Sequence, residues 1–288
     1  MLARRTLPLL ALSLPFLARA SAPPVAVASF SILGDIAQQV AGQRWEIRTL
    51  AGPDVDAHHF QPRPSDAEAL RGATVAIRNG AGFDGWFDRL VRGAGFRGRL
   101  VTATEGLTLR SAATRGGHSH GSSDPHAWQD ARLATGYARR IAQALETDPA
   151  PYLARLAALD EEIRAAIATV PEERRVVVTS HDAFGYYGAA YGVRFLAPQG
   201  TSTSAEPSAQ QVAALIRQIR QGNITAVFME NIGNPATLRR LAAEAGVQVR
   251  GRLFADALSP PDGPAATYEA MMRHNTRLLV SAMRNDPA

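Results

Sequence analysis

Apolar runs of four to six residues alternate along the chain with longer stretches whose apolar positions repeat at helical spacing. Val25 to Phe30, Trp45 to Leu50, Thr74 to Arg78 and Arg99 to Thr102 read as strands. Between them lie helical patterns from about Ile32 to Val40, from near Ser65, and near Phe83 to Val91. Ser65 followed by Glu68 has the form of a capping box. A Gly/Ser/His-rich stretch, Ser111 to Ser123, reads as a loop. Two helices should follow it, Asp130 to Glu146 and Pro149 to Val170, the second with Tyr152, Leu153, Leu156, Leu159, Ile163 and Ile167 on one stripe. The alternation then restarts: strands at Arg175 to Thr179, Arg194 to Ala197, Ala226 to Glu230 and Val247 to Phe254; helices at Phe184 to Tyr191, Ser208 to Arg220, Pro235 to Ala245 and Pro264 to about Met283. This pattern predicts an α/β protein of two lobes, each a mostly parallel sheet flanked by helices, joined by one long connecting helix. The expected limits are 23–148 for the first lobe, 149–170 for the linking helix and 171–288 for the second lobe.

Residues 1–22 stand apart. Arg4-Arg5, an apolar stretch from Leu7 to Leu17 and the small-x-small sequences Ala18-Arg19-Ala20 and Ala20-Ser21-Ala22 form a cleavable signal peptide. The apolar stretch is shorter than the roughly 18 residues a membrane-spanning helix needs. The mature protein is therefore expected to be exported, periplasmic and freely soluble, because no Cys follows the cleavage site to carry a lipid.

Composition removes several chemistries. With no Cys in 288 residues there are no disulfides, thiolate nucleophiles or cysteine-held metals, so a soft metal must be held by His. All basic residues are Arg, which excludes lysine catalysis. The net charge of +5 invites a nucleic-acid partner, but no dense basic run with interleaved aromatics supports one. No G-x-S-x-G, H-E-x-x-H or Walker-type loop occurs. Gly80-Ala81-Gly82-Phe83-Asp84-Gly85 has dinucleotide-site spacing, but at the third strand of its lobe it reads better as a tight strand-to-helix turn.

Chemistry concentrates at strand ends. Of seven His, His58 lies just beyond the second strand, His126 between the loop and a helix, and His181 directly after Val176-Val177-Val178-Thr179. Asp256 follows Phe254 in the same way. Ligand sites in open α/β sheets form beyond the carboxyl ends of strands. Each His taken singly reads as an ordinary surface or loop residue; four such positions in an exported chain point instead to a metal site of three imidazoles and one carboxylate, suited to zinc. His59 ranks below His58 because adjacent residues of an extended chain point apart. Glu230, also at a strand end, reads as a packing or ligand-orienting carboxylate, with coordination the lesser reading. His118 and His120 in the loop read equally as a mobile metal-gathering tract or a solvated linker, and His274 as a helix-surface residue.

These residues carry a family resemblance. Ser31-Ile32-Leu33-Gly34-Asp35-Ile36, Asp56-Ala57-His58-His59-Phe60-Gln61-Pro62, Asn79-Gly80-Ala81-Gly82, Asp124-Pro125-His126-Ala127-Trp128, Ser180-His181-Asp182-Ala183-Phe184, Glu206-Pro207-Ser208 and Phe254-Ala255-Asp256-Ala257-Leu258 occur in order over nearly all of the mature chain. In this it resembles the zinc/manganese class of periplasmic solute-binding proteins of ABC transporters, with the TroA-like fold. The resemblance implies metal ligands at His58, His126, His181 and Asp256, a membrane permease as partner, and a non-enzymatic role. It implies zinc rather than manganese, since manganese-type members tend to carry a carboxylate where His181 stands. A monomer is expected, with a periplasmic metal carrier as an open second partner. A manganese carrier of the same type and an exported zinc hydrolase are the competing readings. The linking helix should resist wide lobe opening, so release is expected to involve the segment around His126.

Overall fold

The computed structural model describes residues 22–112, 123–204 and 206–286; residues 1–21 of the expected signal peptide 1–22, together with His118 and His120, lie outside the described residues. The first lobe is built from β1 (Val25–Phe30), α1 (Ser31–Ala41), β2 (Glu46–Ala51), α2 (Pro64–Arg71), β3 (Val75–Arg78), α3 (Gly85–Gly93) and β4 (Arg99–Thr102). Two helices follow, α4 (Ala131–Leu145) and α5 (Ala150–Ala168). The second lobe contains β5 (Val176–Val178), α6 (Gly185–Tyr191), β6 (Arg194–Leu196), α7 (Ala209–Gln221), β7 (Val227–Glu230), α8 (Pro235–Ala245), β8 (Val249–Leu253) and α9 (Tyr268–Arg284).

Each lobe holds a four-stranded parallel sheet, ordered β2-β1-β3-β4 in the first and β6-β5-β7-β8 in the second. Burial follows strand position. Central β1 and β3 are almost continuously apolar and buried, as parallel strands covered on both faces must be, whereas edge β2 alternates exposed Glu46 and Arg48 with partly buried Ile47 and Thr49. Gly34 lets α1 lie close on β2, where a Cβ would stand 2.1 Å from Thr49 Oγ1. In both sheets the chain crosses over between central strands, β1 to β3 and β5 to β7, so each lobe has a crevice at the carboxyl ends of its strands. The two crevices face one another.

The predicted elements appear with shifted ends. α2 begins at Pro64, and its cap is not Ser65 with Glu68: the Asp66 carboxylate accepts the Arg63 backbone N–H at 2.7 Å. α9 starts at Tyr268 rather than Pro264, because the Ser259 hydroxyl accepts the Ala265 N–H at 3.0 Å and folds the preceding segment into a loop. Thr267 then caps the helix through Ala270 N–H at 3.2 Å. In α5 the buried stripe is Tyr152, Leu156, Leu159, Ile163 and Ile167, while Leu153 is only partly buried. Asp160 joins this buried face because Arg164 grips its carboxylate at 2.9 Å.

The lobes share one core, and the second lobe holds another of its own around Val178, Leu215, Val227 and Leu238. One cluster of buried residues runs from Ala26 and Phe30 through Tyr137, Leu156 and Leu159 to Phe254, Tyr268 and Leu279. α9, the last element, packs on α5 and α1 as well as on β8. Its Tyr268 N–H donates to Asp35 of α1 at 2.8 Å, and its Glu269 pairs with Arg155 of α5 at 2.9 Å. No helix of the described residues is long and apolar enough to cross a membrane.

Truncating the centre of this shared core tests its continuity. Leu159→Ala should cost about 2–5 kcal/mol in denaturant unfolding. All three Trp (45, 86 and 128) lie in the first half of the chain, so their fluorescence should lose amplitude together with the far-UV helix signal. Separate transitions would mean that the lobes fold independently.

Candidate metal centre

His58 follows β2, His126 precedes a single 3-10 turn (Ala127–Gln129) leading into α4, His181 follows β5 and Asp256 follows β8. The structure brings all four together: one donor atom from each lies within 4.8 Å of the others. Asp256 is at the centre. Its Oδ2 is 3.2 Å from His58 Nε2 and 3.1 Å from His181 Nε2, and its Oδ1 is 3.5 Å from His126 Nε2. Ligand atoms on a tetrahedron with bonds of 2.0–2.1 Å stand roughly 3.3 Å apart, so these spacings suit a small divalent cation.

Burial makes the arrangement chemically expensive without one. The side chains of His126 and Asp256 are fully buried, His181 is 1% exposed and His58 5%. His58 Nε2, His126 Nε2 and Asp256 Oδ1 are buried with no hydrogen-bond partner among the described residues. Such groups are normally satisfied. A cation accepting all three would satisfy them at once.

Two ligand-position imidazoles are held from behind. The Asp124 carboxylate accepts the His126 backbone N–H at 3.0 Å and faces its Nδ1 at 2.8 Å. Glu230, at the end of β7, accepts the backbone N–H groups of Ser180 at 2.8 Å and His181 at 2.9 Å through Oε1, and holds His181 Nδ1 through Oε2. Each carboxylate engages Nδ1 and so aims Nε2 at Asp256. Burial pulls the His126 pKa down, but Asp256 and then Asp124 outweigh it and raise it to about 9. Against the same desolvation, Glu230 and Asp256 hold the His181 pKa well above its ordinary value. Burial would raise the Asp256 pKa, yet the two imidazolium charges take it well below the carboxylate range.

The Gly80–Gly85 segment is the strand-to-helix turn expected of it. Gly80, Ala81 and Gly82 all adopt positive φ, and a Cβ on Gly80 would lie 2.5 Å from the Thr102 side chain. The turn presents Phe83 as the aromatic wall of the site, its ring 4.5 Å from that of His58 and 4.9 Å from that of Trp128. It also sets Asn79, whose Nδ2 donates to Pro125 O at 3.0 Å just before His126. The roles of Phe83 and Asn79 were not visible in the sequence, and neither was that of Asp124. For Asp124 the signal existed: Asp-x-His occurs at both 56–58 and 124–126. His59 is exposed and outside the cluster, and His274 lies on α9 with its Nε2 3.2 Å from Arg252 O.

Residues 26–282 match the family described as ZnuA, zinc-uptake complex component A, periplasmic. The chain belongs to this family. It is thus a binding component of a metal-uptake complex and not an enzyme, and the hydrolase reading has no support. Similar proteins include the manganese-binding lipoprotein MntA of Halalkalibacterium halodurans, 30% identical over 89% of this chain and 87% of that protein. The iron-binding protein YfeA of Yersinia pestis is 32% identical over 85% and 82%. Among solved structures, the periplasmic zinc binding protein TroA from Treponema pallidum superposes with a TM-score of 0.81 at 27% identity, covering 91% of this chain and 99% of that one. The two-lobe TroA-like fold of the zinc-uptake family is therefore the fold of this chain.

In the metal-free protein His126 should remain protonated through neutral pH and titrate near 9, visible in ring nitrogen shifts by NMR. Its pKa is raised above the free value. The stabilisation from its ion pair with Asp256 is therefore complete below about 6.5 and disappears as pH climbs through about 9. A ring titrating near 6.5 would contradict the assignment.

Proposed function

We propose that the protein captures zinc outside the cytoplasmic membrane and delivers it to the permease of an ABC transporter, holding the ion by His58, His126, His181 and Asp256. The observation that carries this reading is the meeting of three Nε2 atoms around one buried carboxylate, with three of those polar atoms left without partners. Manganese, iron and zinc all occur in the names of its relatives. The donor set favours zinc among them. Three imidazole nitrogens and one oxygen suit a borderline-soft ion in four-fold coordination, whereas manganese favours more oxygen donors and a larger shell. Four protein donors leave no open position for a reacting water, as suits a carrier.

Charge bookkeeping supports reversible binding. In the metal-free site near neutrality, the raised pKa values of His126 and His181 favour two protonated rings beside Asp256. An arriving dication displaces those two protons, so the buried region keeps the same net charge loaded or empty. Asp124 and Glu230 then accept Nδ1–H from neutral rings whose Nε2 lone pairs face the metal.

Export by a cleaved signal segment and action as a monomer remain part of the proposal. MntA is named a lipoprotein, but this sequence has no cysteine to take a thioether-linked lipid. All four donors come from one chain, so the site needs no second copy.

Calorimetric zinc titration in buffers of different ionisation enthalpy should report release of about two protons per ion at pH 7, and affinity should rise with pH until those groups titrate unaided. Zinc at a thousandfold excess over Kd should add about 4 kcal/mol of stability. X-ray absorption should give four nitrogen and oxygen neighbours near 2.0 Å with three imidazoles; six oxygen-rich neighbours would reassign the cargo. Unchanged zinc affinity in His58→Ala, His126→Ala and His181→Ala alike would end the reading. Glu230→Gln should weaken binding by about 10- to 100-fold through misorientation of His181.

A further inference from the structure

The first lobe uses the sequence Asp-x-His twice, and the two copies are wired differently. In Asp124-Pro125-His126 one carboxylate oxygen takes both the His126 backbone N–H and its ring Nδ1. In Asp56-Ala57-His58, Asp56 Oδ1 accepts the His58 backbone N–H at 2.8 Å, but Oδ2 accepts the hydroxyl of Thr203 at 2.8 Å. Thr203 belongs to the segment after β6, in the other lobe. Among the described residues no carboxylate engages the His58 Nδ1, and the ring is oriented by its edge contact with Phe83.

The segments carrying the remaining ligands are held by several buried hydrogen bonds. Around His126, Asn79 holds Pro125 O, and Trp128 Nε1 and Gln129 Nε2 both donate to Ala255 O, at 2.9 and 2.8 Å. Tyr268 Oη donates to Trp128 O at 2.7 Å. His181 is clamped by Glu230 through backbone and ring. His58 differs: it has the most exposed side chain of the four, and residues 52–56 before it lie on the rim. That rim segment is tied across the cleft at three points: Thr203 to Asp56, Asn231 Nδ2 to Asp54 Oδ1 at 2.8 Å, and Asp54 N–H to Leu258 O at 2.9 Å. Its inner end is anchored, because Trp86 Nε1 donates to Ala57 O at 2.7 Å.

We infer that His58 is the exit ligand and that the Asp56–Thr203 hydrogen bond is the latch that sets how fast the metal leaves. When Thr203 lets go and the two ties at Asp54 open with it, residues 52–56 lift about the Ala57 anchor, the Asp56–His58 turn loosens, and the ring swings out while the other three donors stay in place. This moves the mobile part of the site from the His126 segment, where the sequence pattern placed it, to the rim before His58. Asp56 and Thr203 are positioning residues that act through His58, and the inference rests on the metal-binding reading above.

The test is stopped-flow release of zinc from the full-length mature protein into excess chromophoric chelator. Thr203→Val keeps the side-chain shape and removes the donor; release should accelerate about fivefold, the effect of losing one ordinary hydrogen bond. X-ray absorption of the loaded variant should match the parent, and the melting temperature of its metal-free form should fall by no more than the about 2–4 °C that one hydrogen bond accounts for, which separates latch from folding. In His58→Ala, which releases zinc faster still, adding Thr203→Val should change the rate no further, because the latch has nothing left to act on. Release from Thr203→Val within about twofold of the parent, or an undiminished Thr203→Val effect on the His58→Ala background, would overturn the latch while leaving the carrier intact. A parent protein that binds no zinc would instead defeat the reading on which the latch rests.

Discussion

A carboxylate with no exposed surface, Asp256, governs the rest of the molecule. An ionised acid is tolerated in such a place only if positive charge or strong donors surround it. Here they arrive from three separate segments and from both lobes. The requirement explains why His126 and His181 keep protons in the empty protein, why Asp124 and Glu230 stand behind them, and why the lobes approach so closely. A dication and a pair of protons are two solutions to the same electrostatic problem. On the proposed reading, capture and release would exchange one solution for the other.

The fold supplies the frame for that exchange. Parallel sheets put their crevices at the carboxyl ends of strands, and two such sheets set crevice to crevice bring four loops to one point. α5 and α9 carry one apolar cluster across both lobes, beside a second cluster confined to the second lobe, with Tyr268 reaching Asp35 by its backbone and Trp128 by its hydroxyl. The cluster of His58, His126, His181 and Asp256 is therefore held by buried packing together with buried hydrogen bonds, whereas the rim before His58 is tied by partly buried and exposed ones.

Much of this was legible in the sequence. Apolar runs of strand length interleaved with helical periodicity announced the two parallel sheets, and strand-end positions singled out the four side chains that the structure brings together, His58, His126, His181 and Asp256. Local capping was misread at Ser65, because Asp66 competes for the same turn and sits three residues beyond Arg63. The start of α9 was placed too early because the Ser259 hydroxyl diverts the chain through a contact that periodicity does not record. The supporting residues were hidden for a similar reason. Asn79, Phe83 and Thr203 act on groups 46, 25 and 147 positions away, at Pro125, His58 and Asp56, and such partnerships exist only after folding.

The core shared between the lobes has a bearing on how a membrane partner could tell a full carrier from an empty one. A pair of jaws hinged on a flexible strap would advertise its cargo by a change of overall outline. Here one buried cluster runs through both lobes, so on the release route proposed above news of an occupant would be written in the few residues around the entrance, above all 52–56 and the Thr203 segment facing them. The transporter would then be reading the fine print of a rim and not the silhouette of the whole molecule.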